Sequence, residues 1–312
     1  MMRNIESVMN VIRRSTTALA AGILVNAVLA SPTLAQQDLS KVEIVPTDLG
    51  SGIYMLSGAG GNIGLSVGED GIFMVDDQFA PLTDKILAAV KNISAKPVRF
   101  VLNTHWHFDH TGGNENMGKA GVVIVAHDNV REMMSKDQFL KAFNKKVPAA
   151  PKVALPSITF SHSTTFHLND QTMLIQHVEP AHTNGDSFVH FKQANIIHTG
   201  DLFFNGMYPF IDAQHGGNIS GVIKAIGKII PLADDNTKII PGHGPLSNKK
   251  ELVAYRDMLI VVRDNVKKLA DAGKTVDEVV AAKPLADLNG VWGNGFMKPE
   301  FFTKIVYANV KM

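Results

Sequence analysis

The chain has no cysteine among its 312 residues. Disulfide staples, thiolate metal sites and cysteine nucleophiles are all excluded with it. An excess of one charge is also missing: 30 Lys and Arg against 29 Asp and Glu leave a formal +1. That balance does not build the basic face a nucleic acid needs, so no nucleic-acid partner is expected. Long apolar runs are scarce too. The run from Ala18 to Ala30 falls short of the ~20 residues that span a bilayer. What remains is 45% hydrophobic and 19% charged, the composition of an ordinary globular protein.

The short apolar run has a specific context. Arg3, Arg13 and Arg14 precede it, and Thr33-Leu34-Ala35 places small residues where a signal peptidase reads. This predicts a removable signal over residues 1–35 and a periplasmic or secreted protein with no membrane association after cleavage. Residues 36–312 show no low-complexity segment and no break in composition beyond residue 40. One domain with C-terminal helices is the expectation there.

Along that domain, short runs rich in Ile, Val and Phe alternate with helical periods. Residues 52–56, 62–67 and 72–75 read as strands of a meander punctuated by glycine. A helix is predicted over 82–93, closed by Lys96-Pro97, then a buried strand over 98–102. A short helix (111–118), a strand (122–126) and a helix (128–134) follow, then a long surface loop over 136–156. Further strands are expected at 157–160, 164–168, 172–178, 187–191, 196–198 and 238–240. Helices are expected at 219–230 and 249–272, with a last short one at 276–282. Strands in runs with helices between them imply helix layers over mixed sheets.

Chemistry concentrates directly after the 98–102 strand. Thr104 to His110 reads Thr-His-Trp-His-Phe-Asp-His, three imidazoles and a carboxylate in one loop. These are ligands that zinc accepts. His105 and His107, two apart, point to the same side of an extended segment, and a tight loop can aim Asp109 and His110 at a second ion. Three more ligand types follow strand ends: His182 in a Pro-Ala-His-Thr-Asn-Gly-Asp turn, Asp201 after Thr199-Gly200, and His243 between Gly242 and Gly244. Ligand loops on the ends of sheet strands are where active sites are commonly built.

These blocks, in this order, resemble the metallo-β-lactamase superfamily from about Gly52 to Pro245. The resemblance implies an α+β fold, an αββα sandwich of two mixed sheets flanked by helices. It also implies two zinc ions: His105, His107 and His182 on the first, Asp109, His110 and His243 on the second, and Asp201 bridging both. Asp76 looks like the family's aspartate that supports the ligand loop. The commonest subclass of true β-lactamases carries cysteine where this chain has Asp201, and often another residue at His110. The oxygen-and-nitrogen set here is closer to glyoxalase II and lactonases.

The expected reaction is hydrolysis of a small-molecule carbonyl compound by a hydroxide held between the zinc ions, with Asp109 orienting it and moving its proton. A β-lactam or similar cyclic amide is the first substrate reading. The alternative is a thioester or lactone, and a third reading is a di-iron redox protein. Asn184 and Asn205 are candidates to hydrogen-bond substrate. Phe79, Trp106, Phe108, Phe203, Phe204, Tyr208 and Phe210 are candidates to line the pocket, with Trp106 and Phe108 expected to point away from the metals. His127, His162, His167, His177, His190, His198 and His215 belong to no ligand block and are read as structural or surface residues.

Overall fold

The computed structural model describes residues 38–311; the expected signal segment lies outside the described residues. The first half contains strands β1 (Val45–Gly50), β2 (Ile53–Ser57), β3 (Ile63–Gly68) and β4 (Gly71–Val75), then helix α1 (Thr83–Ile93) and β5 (Val98–Asn103). Two short helices, α2 (Phe108–Thr111) and α3 (Asn114–Lys119), lead to β6 (Val123–His127) and α4 (Asp128–Met134). A small hairpin, β7 (Gln138–Leu140) and β8 (Lys145–Val147), precedes β9 (Ile158–Phe160). The second half runs β10 (Ser163–Leu168), β11 (Gln171–His177), β12 (Ser187–Phe191), β13 (Ile196–His198) and α5 (Ile219–Ile229). It continues with β14 (Lys238–Ile240), β15 (Ser247–Asn248), α6 (Lys249–Asp271), α7 (Val276–Ala281), α8 (Asn289–Trp292) and α9 (Pro299–Lys311).

Two mixed sheets result. The first has the order β1-β2-β3-β4-β5-β6-β9, antiparallel up to β4 and parallel beyond it. The second has the order β10-β11-β12-β13-β14-β15, with only β13–β14 parallel. Because side chains alternate along a strand, each central strand serves two layers. In β4, Phe73 and Val75 face the other sheet while Ile72 and Met74 pack toward Ile86 and Val90 of α1. In the second sheet, Ile196 and Ile240 meet the first sheet, and Ile197 and Ile239 turn outward to α5, α6 and α9. Burial on both faces explains why these strands are nearly continuous apolar runs. The architecture is the expected αββα sandwich.

Besides the split of the expected 111–118 helix into α2 and α3 and the unexpected β15 and α8, three departures have a clear physical reason. β1 is an edge strand whose residues 45–48 are all exposed, so it carries no burial alternation to read. The 136–156 segment is no simple loop but holds the β7–β8 hairpin, paired only with itself. The helix at 276–281 is not the last. Pro299 opens α9, as proline does in a first turn, and Phe302 and Val306 bury one face of it. Among the described residues no helix is long and apolar enough to cross a membrane.

Candidate metal centre

All seven expected ligands converge at one end of the two sheets. The loop after β5 is fixed first. Asp76, fully buried at the end of β4, accepts from Thr104 N at 2.7 Å and Thr104 Oγ1 at 2.8 Å. Its second oxygen also faces His110 Nδ1 at 2.8 Å. Asp76 has a φ of 62°, in the left-handed region that Asp and Asn enter more easily than most residues. This aspartate therefore ties β4 to the start and end of the ligand loop, the supporting place expected for it.

Two clusters form. In the first, His107 Nδ1 lies 3.1 Å from His105 Nε2 and 2.9 Å from His182 Nε2, and Asp201 Oδ2 lies 3.3 Å from His182 Nε2. In the second, His243 Nε2 is 3.4 Å from both His110 Nε2 and Asp109 Oδ2. Asp201 Oδ1 is 3.1 Å from His110 Nε2 and 3.4 Å from His243 Nε2. One carboxylate thus turns an oxygen to each cluster.

The donor chemistry fits a pair of cations. His182 Nδ1 is 2.8 Å from the Phe210 carbonyl, which can only accept, so this nitrogen carries the proton. His107 Nε2 likewise faces Asp212 Oδ2 at 3.0 Å. With His182 Nδ1 and His107 Nε2 so engaged, His182 Nε2 and His107 Nδ1 are left facing each other at 2.9 Å. A shared cation satisfies two ring nitrogens placed in this way. Asp201 Oδ1 is buried and faces the His110 and His243 ring nitrogens at 3.1 and 3.4 Å, as a carboxylate oxygen placed for a metal would.

Electrostatics agree with the geometry. Burial holds the His105 and His182 imidazoles neutral, His182 down to about 4. Around the second cluster burial opposes protonation, but the Asp201 and Asp109 carboxylates overcome it and raise His243 to about 9.

Supporting residues complete the frame. Asp186 accepts from His182 N at 2.6 Å and Thr183 N at 2.8 Å and shapes the 182–186 turn; burial pushes its carboxyl up to about 7. His198 is consumed by backbone: Nε2 faces Asn62 O at 3.1 Å and Nδ1 accepts from Gly200 N. His215 is also structural, and buried: its Nδ1 lies 2.7 Å from the Asp212 oxygen that orients His107. Asp212 was not singled out in the sequence, although His215 three residues on marks the turn. Asn205 bonds the Pro245 carbonyl and is a turn former.

The clusters floor a cleft enclosing a cavity of about 250 Å³, walled by Phe79, Phe108, Leu140, Phe143, Phe204, Phe210 and Phe296. Phe204 stacks on His243, ring centroids 4.9 Å apart. Trp106, Phe203 and Tyr208 go to the core instead. Phe108 reverses its expectation: alternation fails there because α2 starts at that residue, and the ring turns into the cleft.

The family model described as Metallo-beta-lactamase superfamily matches residues 58–243. An acyl-coenzyme A thioesterase MBLAC2 of Bos taurus is 26% identical over 172 residues, 50% of this chain and 59% of that protein. A hydroxyacylglutathione hydrolase of Polaromonas sp. is 24% identical over 180 residues, 57% of this chain and 60% of that one. The chain therefore spans less than two thirds of the length of these two relatives. Among solved structures, a metallo-beta-lactamase from Pontibacter korlensis superposes with a TM-score of 0.58 at 20% identity, covering 70% of this chain and 99% of that one; at that identity the likeness speaks for the fold alone. With the family model spanning more than half its length, and on the αββα sandwich just described, the chain belongs to the metallo-β-lactamase superfamily.

Proposed function

We propose that this chain is an exported two-zinc hydrolase of small thioesters, or related esters and lactones, that carry an apolar acyl group. The observation that carries the reading is the pair of clusters joined through Asp201, with imidazole nitrogens turned inward on each other. His105, His107, His182 and Asp201 would hold one zinc, and Asp109, His110 and His243 with Asp201 the other. Zinc, when bound, supplies the Lewis acidity that polarises a carbonyl and acidifies water. Asp109 is the carboxylate best placed to take and return a proton at Oδ2: its side chain is 21% exposed to the cleft, against 4% for Asp201. The phenyl walls bind the apolar part of the substrate and exclude water around the scissile bond.

The thioester reading leads because one of the relatives is named an acyl-coenzyme A thioesterase and another a hydroxyacylglutathione hydrolase. The likeness to β-lactamase structures supports the sandwich and leaves the cyclic amide as one arm of the test. Purified residues 36–312 are expected to hold two zinc ions per chain and to hydrolyse chromogenic thioesters. Chelation should remove the activity and zinc should restore it. Zinc content well below one per chain would end the proposal. Turnover of a chromogenic cephalosporin alone would move it to the cyclic-amide reading.

Gly242 offers a sharper check of the bridging carboxylate. A Cβ at this position would overlap Asp201 Oδ1 and come within 2.7 Å of the Gly200 backbone. Gly242→Ala is therefore expected to weaken zinc by roughly 10–100-fold, the range for disturbed ligand support, measured by chelator competition.

A further inference from the structure

Among the described residues the cleft walls hold no lysine or arginine, yet an ammonium lies at the rim. In the β7–β8 hairpin Leu140 pairs with Lys145 and Phe139 with Lys146. Directly opposed residues of an antiparallel pair project from the same face. Leu140 is buried against the cleft, so Lys145 shares the cleft-facing side, while Phe139, 38% exposed, turns to solvent. Lys145 Nζ lies 3.2 Å from the centroid of the Phe108 ring, itself a wall of the cleft next to Asp109.

Lys145 itself is exposed, and Gln138 and Lys146 share the hairpin with it, so its ammonium stays solvated at the rim and free to meet an anion. Here it meets none. Asp109, whose charge reaches it, is engaged with His110 and His243. Among the described residues Lys145 has neither an ion pair nor a hydrogen bond; the Phe108 face is its resting contact. Cation–π contact at a partly wet site is worth only ~0.5–1 kcal/mol, so a carboxylate entering the cleft can capture the ammonium at little cost. Partial burial also pulls the pKa of Lys145 down, against the opposing pull of Asp109, while leaving the ammonium reachable from the cleft.

We propose that Lys145 is a specificity-determining residue that grips a carboxylate on the substrate, making the preferred substrates apolar acyl compounds that also carry a negative charge. The inference rests on the hydrolase reading above and names its substrate class. The scissile carbonyl goes to the zinc clusters, the acyl chain to the phenyl walls, and the carboxylate to the hairpin.

The test compares two thioesters with one acyl group: S-hexanoyl-3-mercaptopropionate, which is anionic, and S-hexanoyl-2-mercaptoethanol, which is neutral. Lys145→Met should raise KM for the anionic substrate about tenfold with kcat nearly unchanged, the size of one charge-assisted contact. The neutral substrate should shift less than twofold, and Lys145→Arg should restore most of the anionic preference. Equal effects on both substrates, or none on either, would overturn the proposal. Binding of 4-phenylbutyrate, which has no scissile bond, is measured by calorimetry on the zinc-loaded wild type and Lys145→Met. If neither thioester is cleaved but this binding still depends on Lys145, the thioester reading fails and the anion anchor stands. If cleavage is robust and binding ignores Lys145, the anchor fails alone.

Discussion

Asp201→Asn is expected to abolish hydrolysis, with kcat falling about 10³-fold or more. The substitution preserves the size of the side chain and removes only its charge and one acceptor oxygen. In the wild type those two oxygens serve two clusters: Oδ2 lies 3.3 Å from His182 Nε2, and Oδ1 lies 3.1 Å from His110 Nε2 and 3.4 Å from His243 Nε2. An asparagine can offer a carbonyl oxygen to one cluster, but it must then point an NH₂ at the other, where a second cation would repel it. A bound metal contributes several kcal/mol of transition-state stabilisation, and each 1.36 kcal/mol is tenfold in rate, so loss of one ion accounts for the size of the effect. Zinc analysis of the variant should show about one ion per chain in place of two. Retention of two tightly held ions with near wild-type turnover would dismantle the bridging role. His107→Ala and Asp109→Ala should likewise silence the enzyme. His215→Ala acts only by loosening Asp212, so its effect should be far smaller.

The ligand constellation was legible in the sequence because each of its parts is a local signal. A ligand-type residue directly after an apolar run announces a strand end, and four such ends deliver all seven side chains. The central strands were legible for a related reason: burial on both faces gives β4 an uninterrupted apolar run and β5 one broken only by the exposed Arg99 before Asn103. Long-range packing left no such trace. Phe143 and Phe296 reach the cleft from a small hairpin and from the segment before α9, neither of which has a periodic pattern pointing there. Asp212 orients His107 across more than a hundred positions of chain. Lys145 acquires meaning only through its cross-strand pairing with Leu140. Phe108 was misplaced by a period-2 reading that holds for His105 and His107 but ends where α2 begins. The substrate walls, more than the metal site, are therefore what the sequence conceals.

Asp76 separates folding from metal binding more cleanly than any ligand does. Asp76→Ala strips the acceptors from Thr104 N, Thr104 Oγ1 and His110 Nδ1, all buried. It also leaves alanine at a φ of 62°, a region costly for a residue with a Cβ and no polar side chain. Each stranded buried donor costs ~1–3 kcal/mol, so this variant should lose roughly 3–5 kcal/mol of stability and reach the soluble fraction poorly. Asp76→Asn behaves differently. Asparagine tolerates the left-handed backbone, and its carbonyl oxygen still accepts from Thr104 N. Its NH₂ now faces His110 Nδ1, which must become an acceptor and shift its proton to Nε2. That nitrogen is the one aimed at Asp201 and His243. His110 then meets the second metal position with an N–H where a lone pair is required. Asp76→Asn should therefore melt within a few degrees of the wild type in the metal-free form yet bind its second zinc roughly 10–100-fold more weakly. Thermal denaturation without metal, set beside zinc competition, gives both readouts on one preparation. If the asparagine variant instead unfolds as readily as the alanine variant, Asp76 serves the fold alone; if it keeps wild-type zinc affinity, the proton on His110 is not held where the 2.8 Å contact puts it.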